Sequence, residues 1–446
     1  RRAVQPVDDR ALARFLVEWH GIPAKRRGRD ALAAVVAELA GCPLVASSLE
    51  TEILPARLAA YQPADLDALC ASGQVVWAGI EPLGASDGRI ALYPAEQEAL
   101  LDRAVASPPV PGPLAERLRE TLARRGAVFF ADLVREVGGF PADTLTTLWQ
   151  MVWAGEITND TLEPLRSRAR ALRAAAREAR GRARRPDRPR VGFMGTAPRV
   201  GPPGSEGRWS LRASRIAEAP SATDRSAALA RALLARYGVV TRETAHAEGI
   251  AGGFAAVYDV FRALEDQGRV RRGYFVEGRG GAQFALPGAD ERLRSLRNER
   301  EEQPSVVLAA TDPASAWGAV VPWPGVTPVQ RAAGAFVVLR DGALLGWLGR
   351  GTHPLRTFLP SDSPAAAESA ARALAEALGA LANGVQRRAL LVATIDGAPA
   401  AKSPLAPFFE EAGFERSSRG LLKRAPPPPA SSPFLAGGGL ARAPLR

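Results

Sequence analysis

Three aspartates stand where a carboxylate could do chemistry: Asp312, Asp341 and Asp396. In base excision such a group activates water or steadies a sugar oxocarbenium ion beside a base turned out of its stack. Asp312 and Asp396 are the candidate catalytic residues on that reading. The plainer reading makes all three turn residues. Asp341 and Asp396 each precede a glycine, and Asp312 precedes Pro313, a setting for an Asx turn. Other chemistries find no residues to carry them. There is no GxxxxGK[ST] run to cradle nucleotide phosphates and no GxSxG nucleophile turn. His20, His246 and His353 lie far from one another and from Cys42 and Cys70, so no zinc spacing occurs.

Arginine is the second resource. Arg269, Arg271 and Arg272 enter a short ribbon whose turn carries Arg279, against one acid, Glu277. Guanidinium groups placed there suit backbone phosphates. Tyr274 beside them could stack on a base while Phe275 faces the core. The alternative is a hairpin face merely solvated by charge. From 166 to 199 there are 12 arginines against Glu178 and Asp187, a net of +10. This run, with Arg182, Arg184 and Arg185 at its centre, reads either as a phosphate-binding arm without base specificity or as a solvated, disordered stretch. The whole chain carries +11, so the rest is close to neutral. Local pattern, not overall basicity, must carry any nucleic-acid reading.

The ribbon belongs to residues 223–288. Leu229, Leu233, Leu234 and Tyr237 recur at helical spacing, and so do Phe254, Val257, Tyr258, Phe261 and Leu264. Thr241, with Thr244 three residues on, is half a capping box. After Gly268 the apolar period becomes two, around the turn 277–281. Three helices and a β-ribbon make a winged helix. Arg262 is the one basic residue on its third helix, which argues against strong major-groove readout. The same ending occurs three times. Gly73, Gly155 and Gly268 are preceded at seven residues by Leu66, Leu148 and Phe261, and at four by Leu69, Met151 and Leu264. They are followed at two by Val75, Ile157 and Val270. Such a repeat implies one unit used in series.

The expected organisation is α+β. It comprises a helical adaptor (1–26), a first winged helix (27–112), and a second (113–222) whose wing is interrupted by an Arg-rich insertion at 165–207. A third winged helix (223–288), a β-barrel-like module (289–424) and a disordered tail (425–446) follow. Ser48 is the expected cap of a helix over 49–60. Asp341-Gly342 predicts a hairpin between 336–340 and 343–348. No apolar run approaches the roughly 20 residues that span a bilayer, and two unpatterned cysteines suit a reducing cytosol. The expected location is cytoplasmic and nucleoid-associated.

With these residues in view, three stretches resemble the C-terminal region of bacterial large helicase-related proteins. They are GGFAAVYDVFRALEDQGRVRRGYFVEGRGGAQFALPGADERLR (252–294), LAATDPASAWGAVVPWP (308–324) and LETEILPARLAAYQPADLDALCASGQVVWAG (49–79). The resemblance spans about residues 8 to 424. It implies tandem winged helices and a barrel module beyond a superfamily-two DNA helicase motor. ATP and magnesium would belong to that motor, and no cofactor to this region. It also implies DNA as partner, contact with the helicase core of the same polypeptide, and self-association. The arrangement is similar to AlkZ-type DNA glycosylases, whose glutamine-rich motif is replaced by Glu50 and Glu52 in the nearest stretch. Three functions remain open: a DNA-binding accessory region of a repair helicase, a base-excising module, and an oligomerisation platform.

Overall fold

A computed structural model describes residues 5–103, 107–184, 201–213, 219–298, 300, 303–325, 329–351, 353–382 and 389–425. Arg185 and the tail beyond 425 lie outside the described residues, as does the stretch 185–200.

Three units repeat one topology. Each has three helical segments and a three-stranded sheet with the returning wing strand in the middle. In the first unit, Asp87–Pro94 lies between Leu44–Val45 and Val75–Leu83. In the second, Arg208–Leu211 lies between Val128–Phe129 and Ile157–Asn159. In the third, Gln283–Ala285 lies between Val239–Val240 and Arg271–Gly273. The repeated glycines explain the shared ending. Gly73, Gly155 and Gly268 have φ of 73°, 67° and 68°. That left-handed turn lets the next residue's N–H bond back to the carbonyl of Leu69, Met151 or Leu264 at 2.8–3.0 Å. This Schellman closure anchors a buried apolar residue and launches the wing strand in one step.

Two local expectations change. Thr241 and Thr244 each accept the other's backbone N–H, at 3.3 and 3.2 Å, so the capping box is complete with threonine at both ends. Ser48 caps nothing. The helical stretch from Ala46 to Arg57 passes through a π-helical turn at Leu49–Ile53, with Leu54 N–H donating to Leu49 C=O. That turn carries Glu50, Thr51 and Glu52 outward, and such insertions are frequent at functional sites.

The helix Asp9–Trp19 is no outward adaptor. Seven consecutive residues, Ala11 to Val17, are buried. Leu12, Phe15 and Leu16 share a core with the third unit and with one face of a C-terminal sheet. Burying each contributes roughly 1.5–3 kcal/mol. Arg14 also points inward. Arg14 donates to Asn298 C=O at 2.8 Å and to the Asp341 carboxylate at 2.6 Å.

The C-terminal module is α/β rather than a barrel. Six strands lie in the order Val306–Ala309, Phe336–Arg340, Ala343–Leu348, Leu355–Thr357, Thr394–Ile395, Ala398–Pro399. Among the described residues this sheet does not close. A separate three-stranded sheet is formed by Ala389–Val392, Gly420–Arg424 and Glu415–Ser417. Val337 and Leu339 face the third unit, while Phe336 and Val338 face the helix Pro364–Ala382. Both faces are therefore covered, which is why the strand reads as an unbroken apolar run. Closure is not needed when a helix and a neighbouring domain do the covering. Asp341 and Gly342 have φ of 48° and 79°, as the hairpin turn requires.

A candidate nucleic-acid interface

The base of the first wing is packed against the second unit, while its tip, 81–86, is mostly exposed. Trp77 donates its indole N–H to Asn159 C=O at 3.0 Å, and Thr158 returns a hydroxyl bond to Trp77 C=O at 2.7 Å. Gly79 and Gly88 press against the third helix of the second unit. A Cβ on Gly79 would sit 2.3 Å from the Val152 carbonyl oxygen, and one on Gly88 2.3 Å from the Trp153 ring. The first two units thus share one core.

Beside this junction lies a cleft of about 310 Å³. Its floor is Trp149 and Trp153, its wall the root of the Arg-rich helix Glu163–Arg184, and its far side the π-helical turn. Arg166 is neutralised by Glu50 and Asp67, each at 2.7 Å, and so pins the helix. Arg168 lies 4.6 Å over the Trp149 ring, and burial lowers its proton affinity. Among the described residues Arg170 pairs with Glu163 alone, across an exposed contact, and Arg173 is exposed beside it. Trp153 is half-buried. Cation and aromatic therefore alternate along one groove, the pattern that holds a phosphate backbone and its bases. The far end of the insertion returns to the same place, where Ser167 binds Glu206 and Gly204. Arg182 and Arg184 lie on the outer end of this helix.

The third wing is arranged differently from expectation. Arg271 pairs with Asp290 at 2.9 Å and Glu291 at 3.1 Å, and Arg272 with Glu265 at 3.3 Å. Arg279 is buried against Asp9. The turn itself is strapped down: Val7 N–H donates to Phe275 C=O at 2.8 Å, and Glu277 N–H to Val7 C=O at 2.9 Å. Tyr274 is half exposed, but its hydroxyl accepts the Gly278 N–H at 2.9 Å, folding the ring over the turn. Phe275 faces the core. Arg269 alone of this group is exposed without an ion pair among the described residues. Of the acids responsible, Glu265, Asp290 and Glu291 lie on the helices flanking the ribbon, and Asp9 alone is distant in sequence.

Neither candidate carboxylate lines the cleft beside Trp149. Asp312 is fully buried and takes both oxygens to Arg57, at 2.7 and 2.9 Å, while also accepting the Ala314 N–H. Asp396 occupies a left-handed turn position and binds the Thr357 N–H and hydroxyl at 2.9 and 2.6 Å. Both are structural in this arrangement, and sequence reasoning left that reading open. Both thiols are buried, and burial pushes Cys42 and Cys70 up to about 12. Among the described residues no group of three or more His, Cys, Asp or Glu side chains could hold a metal. None of the described helices is long and apolar enough to cross a membrane.

A second cleft, about 510 Å³, opens where the first unit, the third unit and the C-terminal module meet. Arg89, Arg103 and Arg331 line it. Arg331 sits in PVQRAAGAF, a stretch without charge pattern, and nothing in the sequence marks it. Arg168 belongs to the run expected to bind phosphate, but its seat on Trp149 and the part of Trp153 were missed. The signal that could have found them is a tryptophan pair at i, i+4 followed by alternating arginines.

Three winged-helix units in series, an Arg-rich helix inside one wing and an α/β module define the class: a tandem winged-helix protein. Residues 7–95 and 219–305 match two family models, each described as large helicase-related protein, winged-helix domain. The chain thus carries two winged-helix domains of the large helicase-related family. A Mycolicibacterium smegmatis protein called Lhr helicase/probable uracil glycosylase is 38% identical over 443 residues, 95% of this chain. An Escherichia coli protein called Lhr helicase/uracil glycosylase is 34% identical over 456 residues, 94% of this chain. The chain spans 29% of the length of each. Among solved structures, Streptomyces sahachiroi DNA glycosylase AlkZ aligns with a TM-score of 0.49 and 17% identity, over 88% of this chain and all of that one.

Proposed function

We propose that this chain is the DNA-binding portion of a large helicase-related protein, and that the cleft at the root of the Arg-rich helix holds the DNA backbone. The observation that carries the reading is Arg168, desolvated on Trp149, with Arg170, Arg173 and the half-buried Trp153 beside it. A strand lying there would exchange counterions for guanidinium contacts and stack a base on the indole. On this reading the ATP-driven motor, with its magnesium, is elsewhere in the polypeptide, in line with the word helicase in both relatives' names. Replacing Arg168, Arg170 and Arg173 by alanine is expected to weaken binding to a single-stranded oligonucleotide at least tenfold in 0.1 M salt. Replacing Arg271 and Arg272, already paired with acids, is expected to change it less than twofold. The reverse ranking would sink the assignment of the site.

Base excision is the second reading, supported by the words uracil glycosylase in the same two names. It requires an exposed carboxylate or another water-activating group: Asp312 is buried and doubly bonded, and Asp396, although exposed, is held by the Thr357 N–H and hydroxyl. Incubation with uracil-containing DNA followed by alkali tests it. Strand breaks that survive in D312N and D396N would keep excision and discard those two residues. Self-association is the third reading, tested by sedimentation velocity across a concentration series.

A further inference from the structure

Deep arginines in this molecule come with acids. Arg57 has Asp312, Arg212 has Glu98 and Asp102, Arg236 has Glu248, and Arg14 has Asp341. Arg331, half-buried like Arg168, has none among the described residues. Its guanidinium lines the second cleft, and its one hydrogen bond among the described residues goes to the backbone carbonyl of Asp312, at 3.0 Å. No carboxylate among the described residues lies within ion-pair reach of it. The nearby acids are already spent. The Asp312 carboxylate is taken by Arg57 and the Ala314 N–H. Glu248 is taken by Arg236, Arg103 and the Tyr237 hydroxyl. Partial burial lowers the proton affinity of Arg331, which still opens on the cleft. A charge in that condition is costly unless an anion completes it. The cleft supplies space, and Arg103 and Arg89 on its walls add positive charge screened only by Glu248 and Glu81.

We propose that this cleft is a second anion site, which takes a backbone phosphate of a single-stranded nucleic acid with Arg331 as its ligand. The proposal rests on the DNA-binding reading above but uses a different cleft. Residues adjacent in sequence, Gly88 and Arg89, line the two clefts, so the first wing stands between them. A strand leaving the Arg-rich helix would pass the wing tip to reach Arg331.

The test uses the full chain and two variants, Arg331→Met and Arg331→Lys. Oligothymidylate binding is followed by anisotropy over a salt series, and thermal unfolding with and without inorganic phosphate. The Met variant is expected to bind about fivefold more weakly at 0.1 M salt, with a salt slope shallower by about 0.7, the value of one single-strand contact. The Lys variant should restore the slope. The Met variant should melt within a few degrees of the parent, because the single hydrogen bond lost to the Asp312 carbonyl is offset by removing a partly desolvated charge. An unchanged slope in the Met variant, with the parent still salt-dependent, overturns the site and leaves the DNA reading standing. A larger fall in melting temperature with unchanged affinity makes Arg331 structural and also overturns it. Protection by inorganic phosphate without any effect on the oligonucleotide slope assigns the cleft to free phosphate and overturns the strand. A parent chain with no salt-dependent binding fails the underlying reading instead.

Discussion

Arg57 shows what the excess of arginine over lysine achieves here. Its fork fits both oxygens of Asp312, donates to Ile53 C=O at 2.9 Å and reaches His20 Nδ1 at 3.1 Å. A lysine offers one point charge and no such fork. Arg57→Met would leave Asp312 buried and unpaired, and is expected to lower the unfolding free energy by about 3–5 kcal/mol in urea titrations. Arg57→Met with Asp312→Leu should recover most of that loss. A single variant costing less than about 1 kcal/mol would contradict the pairing. His20 gives a pH dependence. Because Arg57 only donates, Nδ1 accepts and the ring is neutral with its proton on Nε2. Burial first, then the charges of Arg57, Arg236 and Arg26, hold its pKa well below the ordinary value. The unfolded chain therefore takes up a proton near pH 6.5 that the folded chain refuses. Stability is full above that pH and falls as pH drops below it, by up to about 1.4 kcal/mol per unit. Urea midpoints measured from pH 8 to pH 5 should fall accordingly, and His20→Gln should flatten the curve. None of this was legible in the sequence. Composition fits a bland account of the arginines, and pairing across 255 positions leaves no local trace.

The repeated helix-to-wing ending was legible, because it rests on residues within nine positions of one glycine. Its nine flanking positions, from Leu66 to Val270, are all buried. Substituting alanine for Gly155 places a Cβ on a left-handed residue and is expected to cost about 1 kcal/mol. The use of each wing was not legible. The first wing is a clamp on the second unit, so Gly79→Ala, which collides with a backbone carbonyl, should loosen that junction. Hydrogen exchange should then quicken along Ile157–Asn159, while Gln283–Ala285 in the distant third sheet keeps its protection. Equal effects in both sheets would mean global destabilisation instead. The third wing is held by Val7 and Asp9, residues expected to serve as an adaptor. Period-two patterning announces a ribbon; it does not say whether the ribbon's outer edge meets solvent or another segment of the same chain.

Two of the cores join separate units of the chain. One joins the first and second units, and the other joins helix Asp9–Trp19, the third unit and the C-terminal sheet. Arg57, Arg212 and Arg236 fasten elements distant in sequence. Arg212 ties the second wing to Glu98 and Asp102 in the linker after the first, and Arg236 ties the third unit to Glu38 and Ala40 of the first. Removing residues 1–19 is therefore expected to unfold the third unit and C-terminal module rather than trim an appendage, visible as new protease cleavage within 223–424. The claim on which the account turns is that this assembly presents arginine to a polyanion. The direct measurement is the affinity of the intact chain for a single-stranded oligonucleotide as salt is raised. Three guanidinium contacts along the Arg-rich helix predict a log–log slope of about −2 or steeper. A slope near zero, with binding absent or insensitive to salt, would contradict it.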